Sequence, residues 1–155
     1  MEAVLITRDE VEAAQQAWGD GVIAIGKAYA DGGDYRALAL ETIDRLYGYD
    51  LGPVLFKPTW AMQTQFRPTR EDALSYFVKG HIDEDRGFAI AGWAKVRFDN
   101  HNMILGEETA LAMGNYVFTD ADGTELKAEY SFGYMRDANR ALRIILQHSS
   151  APFAG

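Results

Sequence analysis

The sequence predicts an α+β domain in which N-terminal helices pack on one face of a curved antiparallel sheet. Three observations carry this expectation. Apolar residues recur at helical spacing through the first half of the chain, and the period changes to two from Gly87 onward. Clusters of Asp, Asn and Gly then punctuate the second half at short intervals, as an antiparallel meander requires. The 155 residues, 48% of them hydrophobic, suffice for one cored domain. No internal repeat, low-complexity tract or linker divides residues 1–155, so a single domain is expected.

The elements follow in order. Thr7-Arg8-Asp9-Glu10 has the spacing of a capping box, with Thr7 at the N-cap and Glu10 reaching back. Val11, Ala14, Trp18, Ile25 and Ala28 recur at helical spacing behind it, while Gly19, Gly21 and Gly26 weaken that helix. Gly32-Gly33 ends it and Asp34 caps a second helix, striped by Leu38, Ala39, Thr42 and Leu46 and closed by Gly48. Val54 to Trp60 reads as a short strand that Pro58 keeps out of the sheet centre. Thr69-Arg70-Glu71-Asp72 opens a third helix over 70–79. Leu74, Phe77 and Val78 form its apolar face, and Tyr76 lies off the centre of that stripe. Ala94, Val96 and Phe98 then alternate with Lys95, Arg97 and Asp99, and Asp99-Asn100-His101-Asn102 reads as a hairpin turn. Long strands are expected over 109–119 and 127–136, and a last one begins at Leu142. The strand 109–119 is apolar on both parities, Leu111, Met113 and Val117 against Ala110, Tyr116 and Phe118. Helices cover only one face, so the other is expected to pack, sheet to sheet, in a homodimer.

The last strand, Leu142 to Ser150, turns from apolar to polar along its length and is stopped by Pro152. Strict alternation puts Leu142, Ile144, Leu146, His148 and Ser150 on one face, and Arg143, Ile145, Gln147 and Ser149 on the other. A strand that lines an apolar cavity and supplies its polar end has this pattern. A terminal strand running out into solvent has it too. Tyr116, Tyr130 and Tyr134 read most simply as packed sheet residues.

Composition excludes several classes. Fifteen basic against 23 acidic residues give a net charge of −8, which argues against nucleic acid and anionic membranes as partners. No apolar run reaches the length of a membrane span, and Met1 to Arg8 does not have the composition of a signal peptide, so a cytoplasmic protein is expected. With no cysteine, thiolate chemistry and disulfides are out. His81, His101 and His148 lie in three separate segments without ligand spacing, and Asp83-Glu84-Asp85 reads as a solvated acidic loop. Neither a phosphate loop nor a nucleophile elbow is present.

A run of short motifs adds what periodicity cannot. Phe56-Lys57-Pro58-Thr59, Gln65-Phe66-Arg67, Ala73 to Val78, Gly87-Phe88-Ala89-Ile90, Val96-Arg97-Phe98, Ala112 to Tyr116, Glu129 to Tyr134 and His148-Ser149-Ser150-Ala151-Pro152 occur in register. Together they resemble the iota class of carbonic anhydrases over roughly residues 9–153. The resemblance implies a cone-shaped, cystatin-like domain, similar to the association domain of calmodulin-dependent kinase II, ketosteroid isomerase and nuclear transport factor. It implies reversible hydration of carbon dioxide to bicarbonate with no metal or other cofactor. It also implies that Thr59, Tyr76 and Ser150 hold bicarbonate, and that His148 orients water or relays its proton. The family usually carries two consecutive His before the Ser pair; here the first is Gln147, which alternation turns away from His148 and Ser150. Two other classes remain open. An isomerase or dehydratase of the ketosteroid type needs a carboxylate base in the cavity. A non-catalytic assembly or ligand-binding module needs only the sheet.

Overall fold

The computed structural model describes residues 4–155; Met1 to Ala3, part of the stretch read for a leader, lie outside them. Helix α1, Arg8–Ala30, starts at the expected capping box: Thr7 Oγ1 accepts from Glu10 N, and Glu10 Oε1 accepts from Thr7 N, both at 3.1 Å. It runs unbroken through its glycines. A Cβ at Gly26 would stand 2.7 Å from the Ala89 carbonyl oxygen, and one at Gly21 would stand 2.8 Å from a Thr42 methyl. The helix needs those glycines for close approach to its neighbours, and packing outweighs their poor helix propensity. Helix α2, Tyr35–Leu46, is capped by Asp34, and α3, Arg70–Val78, by Thr69.

The sheet has the order β1-β5-β4-β3-β2, with β1 Leu55–Lys57, β2 Trp93–Leu105, β3 Thr109–Asp120, β4 Glu125–Arg136 and β5 Leu142–Ser150. Four strands form the expected antiparallel meander, and a 3-10 turn, Phe88–Ile90, leads into it. A first departure lies outside the antiparallel sheet expected over residues 93–150: the short β1 pairs with β5 in parallel. It does so at the edge, where Pro58 ends it after three residues.

A second correction concerns Asp99–Asn102, which is not a turn. Strand β2 passes straight through it, with the register stepping from Asn100 opposite Gly114 to Asn102 opposite Met113. His101 is thus the extra residue of a β-bulge. Gly114 makes the bulge possible, because a Cβ there would lie 2.3 Å from the Asp99 carbonyl oxygen. The chain reverses instead at Gly106–Glu108, where Gly106 N donates to Thr109 O at 2.9 Å.

The third departure matters most. In β5, Ile144 faces Tyr134 and Leu146 faces Gly133, so Ile145 is unpaired. One extra residue inverts the side-chain parity of everything beyond it. Ile144 points into the core as alternation predicts, but Gln147 and Ser149 then point inward, while Leu146, His148 and Ser150 turn out.

The inner sheet face packs on the helices as an aromatic layer. Trp18 of α1 stacks on Tyr116 with ring centres 5.5 Å apart, edge-on to Phe98, Phe118 and Phe132. Ile104, Leu111, Met113 and Leu146 line an open apolar depression of about 460 Å³ on the other side of the sheet.

Candidate active site

The polar residues of β5 meet others from α1, β3 and the segment after β1. Gln147 and Ser149 are 2% and 0% exposed. Trp18 Nε1–H donates to Tyr47 Oη at 2.9 Å, and Tyr47 Oη–H donates to Gln147 Oε1. Gln147 Nε2–H reaches Tyr116 Oη at 3.3 Å, Tyr116 Oη–H reaches Ser149 Oγ at 2.6 Å, and Ser149 Oγ shares a hydrogen bond with Thr59 Oγ1. Six polar side chains thereby form one continuous hydrogen-bonded file through an aromatic interior. Tyr76 stands beside its Thr59 end and accepts from Trp60 N at 3.4 Å. Lys57 Nζ donates to the Ser149 carbonyl at 3.1 Å; partial burial lowers the pKa of this ammonium.

Thr59 is held in place from behind. Arg67 and Asp85, both with fully buried side chains, form a two-pronged ion pair at 2.7 Å on each prong, and Ser75 Oγ donates to the same carboxylate. The Glu84 carboxylate accepts from the backbone N–H groups of Met62, Gln63 and Thr64, and those bonds hold its pKa below the ordinary value. The segment between Thr59 and Arg67 is therefore tied to the loop after α3. Thr59, Trp60, Ala61, Met62, Glu84 and Arg86 line an open depression of about 300 Å³ above it. Thr59 is half-buried and belongs to both the file and the depression.

Burial raises the pKa of the Tyr47, Tyr76 and Tyr116 phenols, because a phenolate would lose its water. Near neutrality they stay protonated and act as hydrogen-bond donors. The site offers hydroxyls, an amide and an indole N–H, a set suited to the oxygens of a small anion or polar molecule.

Two of the four site residues expected from sequence, Thr59 and Tyr76, are brought together here. His148 and Ser150 are not. The bulge at Ile145 puts His148 on the outer face opposite Ser131, exposed, and Ser150 Oγ donates to Glu129 on that same face at 3.1 Å. Gln147, expected to face away, is inside. Tyr116, read as a packed ring, has its hydroxyl in the middle of the file. Trp18 and Tyr47 read as helix-face residues and Ser149 as facing away from His148 and Ser150; the file joins all three. His81 pairs with Asp72 at 2.9 Å at the surface after α3, and His101 is the bulge residue of β2. Among the described residues no three His, Asp or Glu side chains converge.

Residues 9–151 match the family model described as metal-independent carbonic anhydrase. The chain belongs to the metal-independent carbonic anhydrase family. A protein of Nostoc sp. (strain PCC 7120) named metal-independent carbonic anhydrase is 43% identical over 153 residues, which cover 96% of this chain and 75% of that one. A crystal structure of the iota-carbonic anhydrase from a cyanobacterium, complexed with bicarbonate, superposes with a TM-score of 0.95 at 41% identity, over 100% of this chain and 98% of the other. At the level of fold alone, a putative calcium/calmodulin dependent protein kinase II association domain from Xanthomonas campestris is similar, with TM-score 0.61 and 22% identity over 94% and 88% of the two chains. A putative dehydratase from the NTF2-like family of Streptomyces avermitilis is similar too, with TM-score 0.59 and 15% identity over 94% and 96%. This carbonic anhydrase domain is thus of the cone-shaped α+β type that the motifs implied. Asp83 is exposed and Glu129 lies on the outer sheet face, so neither supplies the interior carboxylate base that a ketosteroid-type reaction needs. Asp85 is buried but fully engaged by Arg67 and Ser75. Among the described residues no helix is long and apolar enough to cross a membrane.

Proposed function

We propose that this carbonic anhydrase interconverts carbon dioxide and bicarbonate at the Thr59 end of the buried file. The observation that carries this reading is that Thr59 is shared by the file and by the open depression. Carbon dioxide enters as a neutral, apolar molecule and needs no charged gate. A water oxygen adds to its carbon while one C=O bond yields its electron pair to an oxygen. Thr59 and Tyr76 hold the carboxylate oxygens as that charge grows, with Ser149 aligning Thr59 from behind, which is electrostatic stabilisation in a largely dry site. Tyr116 and Gln147 hold Ser149 in register. The water's proton leaves to buffer through the depression, because the phenols stay protonated and the imidazole of His148 is on the other side of the sheet.

Magnitudes fit a working but modest site. Zinc brings the pKa of a bound water down from about 15.7 to about 7, a change of about 12 kcal/mol. Hydrogen bonds to a charged group contribute about 1.5–3 kcal/mol each, so two supply about 3–6 kcal/mol. Stopped-flow hydration with a pH indicator tests the reading. Thr59→Ala should slow hydration by roughly 10- to 150-fold, and full activity in that variant overturns the site. Pre-treatment with a chelator should change nothing. Loss on chelation, restored by one particular divalent ion, would overturn metal-free action.

The outer sheet face is assigned to a second copy of the chain. Ile104, Leu111 and Met113 are exposed there, 71%, 47% and 56%, on strands whose other face is fully committed to the core. An apolar area of this kind marks a contact surface, and sheet-to-sheet pairing about a two-fold axis covers it with itself. A cytoplasmic setting belongs to the same proposal, and cell fractionation checks it.

A further inference from the structure

We propose that Trp18, which lies in α1 away from the depression, is a positioning residue: its indole N–H fixes the direction of the whole hydrogen-bonded file, so that the file ends at Thr59 with a proton to give. The proposal rests on the Thr59 site above and follows from counting donors and acceptors.

An indole has one N–H and no acceptor. Trp18 Nε1 lies 2.9 Å from Tyr47 Oη, so Tyr47 must accept there. Tyr47 carries a single proton, and its only other side-chain partner among the described residues is Gln147. That proton goes to Gln147, so the amide must turn its oxygen to Tyr47 and its NH₂ to Tyr116. Tyr116 accepts from the amide at 3.3 Å and passes its own proton to Ser149 at 2.6 Å. Tyr116 and Thr59 are the only side-chain partners of Ser149 Oγ among the described residues, so the one bond left for its own proton is the one to Thr59. Thr59 is then left with a spare proton. Tyr76, a hydrogen-bond neighbour of Thr59, already takes the Trp60 N–H at 3.4 Å. The spare proton therefore rests on Thr59 or, one bond on, on Tyr76. In both arrangements the depression end of the file presents a donor, which the oxygen of an anion requires.

Every link downstream of Trp18 is a hydroxyl or an amide, and each of these can turn round. Only the indole cannot. Without it the reverse order becomes available, with Thr59 donating inward and turning lone pairs toward the anion. A ring whose sole polar atom is buried and aimed at one end of a six-membered file thus decides the polarity at the other end. The links are aligned head to tail, so they also polarise one another.

Trp18→Phe keeps an aromatic ring against Tyr116 and deletes the donor. The expected result is a loss on the order of 10-fold in kcat/KM for bicarbonate dehydration, carried mainly by KM, because the lost donor acts on a bound anion. Tyr47→Phe, which removes one oxygen, should give the same loss, and it carries the test if Trp18→Phe does not fold. The deciding measurement is a double-mutant cycle with Gln147→Leu, which cuts the file midway. Once the file is cut, Trp18→Phe should cost nothing further in kcat/KM, although its effect on the melting temperature persists. An equal loss in both backgrounds, or no loss in either, overturns the proposal while leaving the Thr59 site intact. Full activity in Thr59→Ala and Ser149→Ala would overturn the site, and the proposal with it.

Discussion

The adjacent serines of β5 offer a direct test, because the bulge at Ile145 gives them opposite surroundings. Ser149 Oγ is buried, takes the Tyr116 proton at 2.6 Å and bonds to Thr59. Ser149→Ala leaves the Tyr116 hydroxyl buried without an acceptor, a cost of about 1–3 kcal/mol. For a domain of this size that lowers the melting temperature by roughly 2–4 °C per kcal/mol. It also removes the hydroxyl that aligns Thr59 in the proposed anion site, so hydration should slow by roughly 10-fold or more. Ser150 Oγ meets only the exposed Glu129 carboxylate at 3.1 Å. Ser150→Ala should change stability by less than about 0.5 kcal/mol and leave hydration within about twofold of the parent. His148→Ala should behave like Ser150→Ala. Stopped-flow hydration and thermal melts of the three variants, side by side, supply the readout. Strong loss in Ser150→Ala or His148→Ala, with Ser149→Ala near the parent, would refute the inward and outward assignment of β5.

Asp85→Asn leaves the buried Arg67 guanidinium without its counter-charge and should cost about 3–5 kcal/mol in urea unfolding, with activity falling as the Thr59 segment loosens. Glu10, bonded to Arg136 at 2.6 Å, has its pKa lowered from 4.5 to about 2, chiefly by that hydrogen bond. Its contribution to stability is therefore fully present above the unfolded value and is lost as pH falls toward about 2. Glu10→Gln should flatten that acid limb of a melting-temperature profile, by a modest amount because the carboxylate is partly exposed. The parent should scatter light as a dimer at micromolar concentration and Leu111→Glu as a monomer with its helical signal unchanged; a monomeric parent would refute the shared outer face.

The fold was legible in the sequence where short-range chemistry decides it. The capping box at Thr7, the Thr69 start of the third helix and the Gly32-Gly33 stop each act within a few residues. The sequence misled where a local signal met a partner far away. Asn100-His101-Asn102 has turn composition, but Gly114 on the next strand leaves room for a bulge, and pairing continues through it. The glycines of α1 look like breaks when read alone, yet two of them are contact points with Thr42 and Ala89.

The structure places only half of the motif-derived residues inside, for the same reason. Thr59 and Tyr76 came from motif resemblance, which does not depend on parity. His148 and Ser150 came with an alternation argument, and alternation fails at a bulge that neither Gly nor Pro marks in β5 itself. The mark is on the neighbouring strand: Gly133 stands where a Cβ would lie 2.9 Å from Leu146 Cβ. Once parity is inverted, the departure at Gln147 changes meaning. Where the family usually carries an imidazole, this chain has a buried amide with one accepting end and one donating end, and both are used. An amide can carry the direction of a hydrogen-bonded file but cannot take up a proton near neutrality. On the proposed reading, the file in this chain orients donors toward Thr59, and the proton released by hydration leaves on the solvent side, through the depression that Thr59 lines.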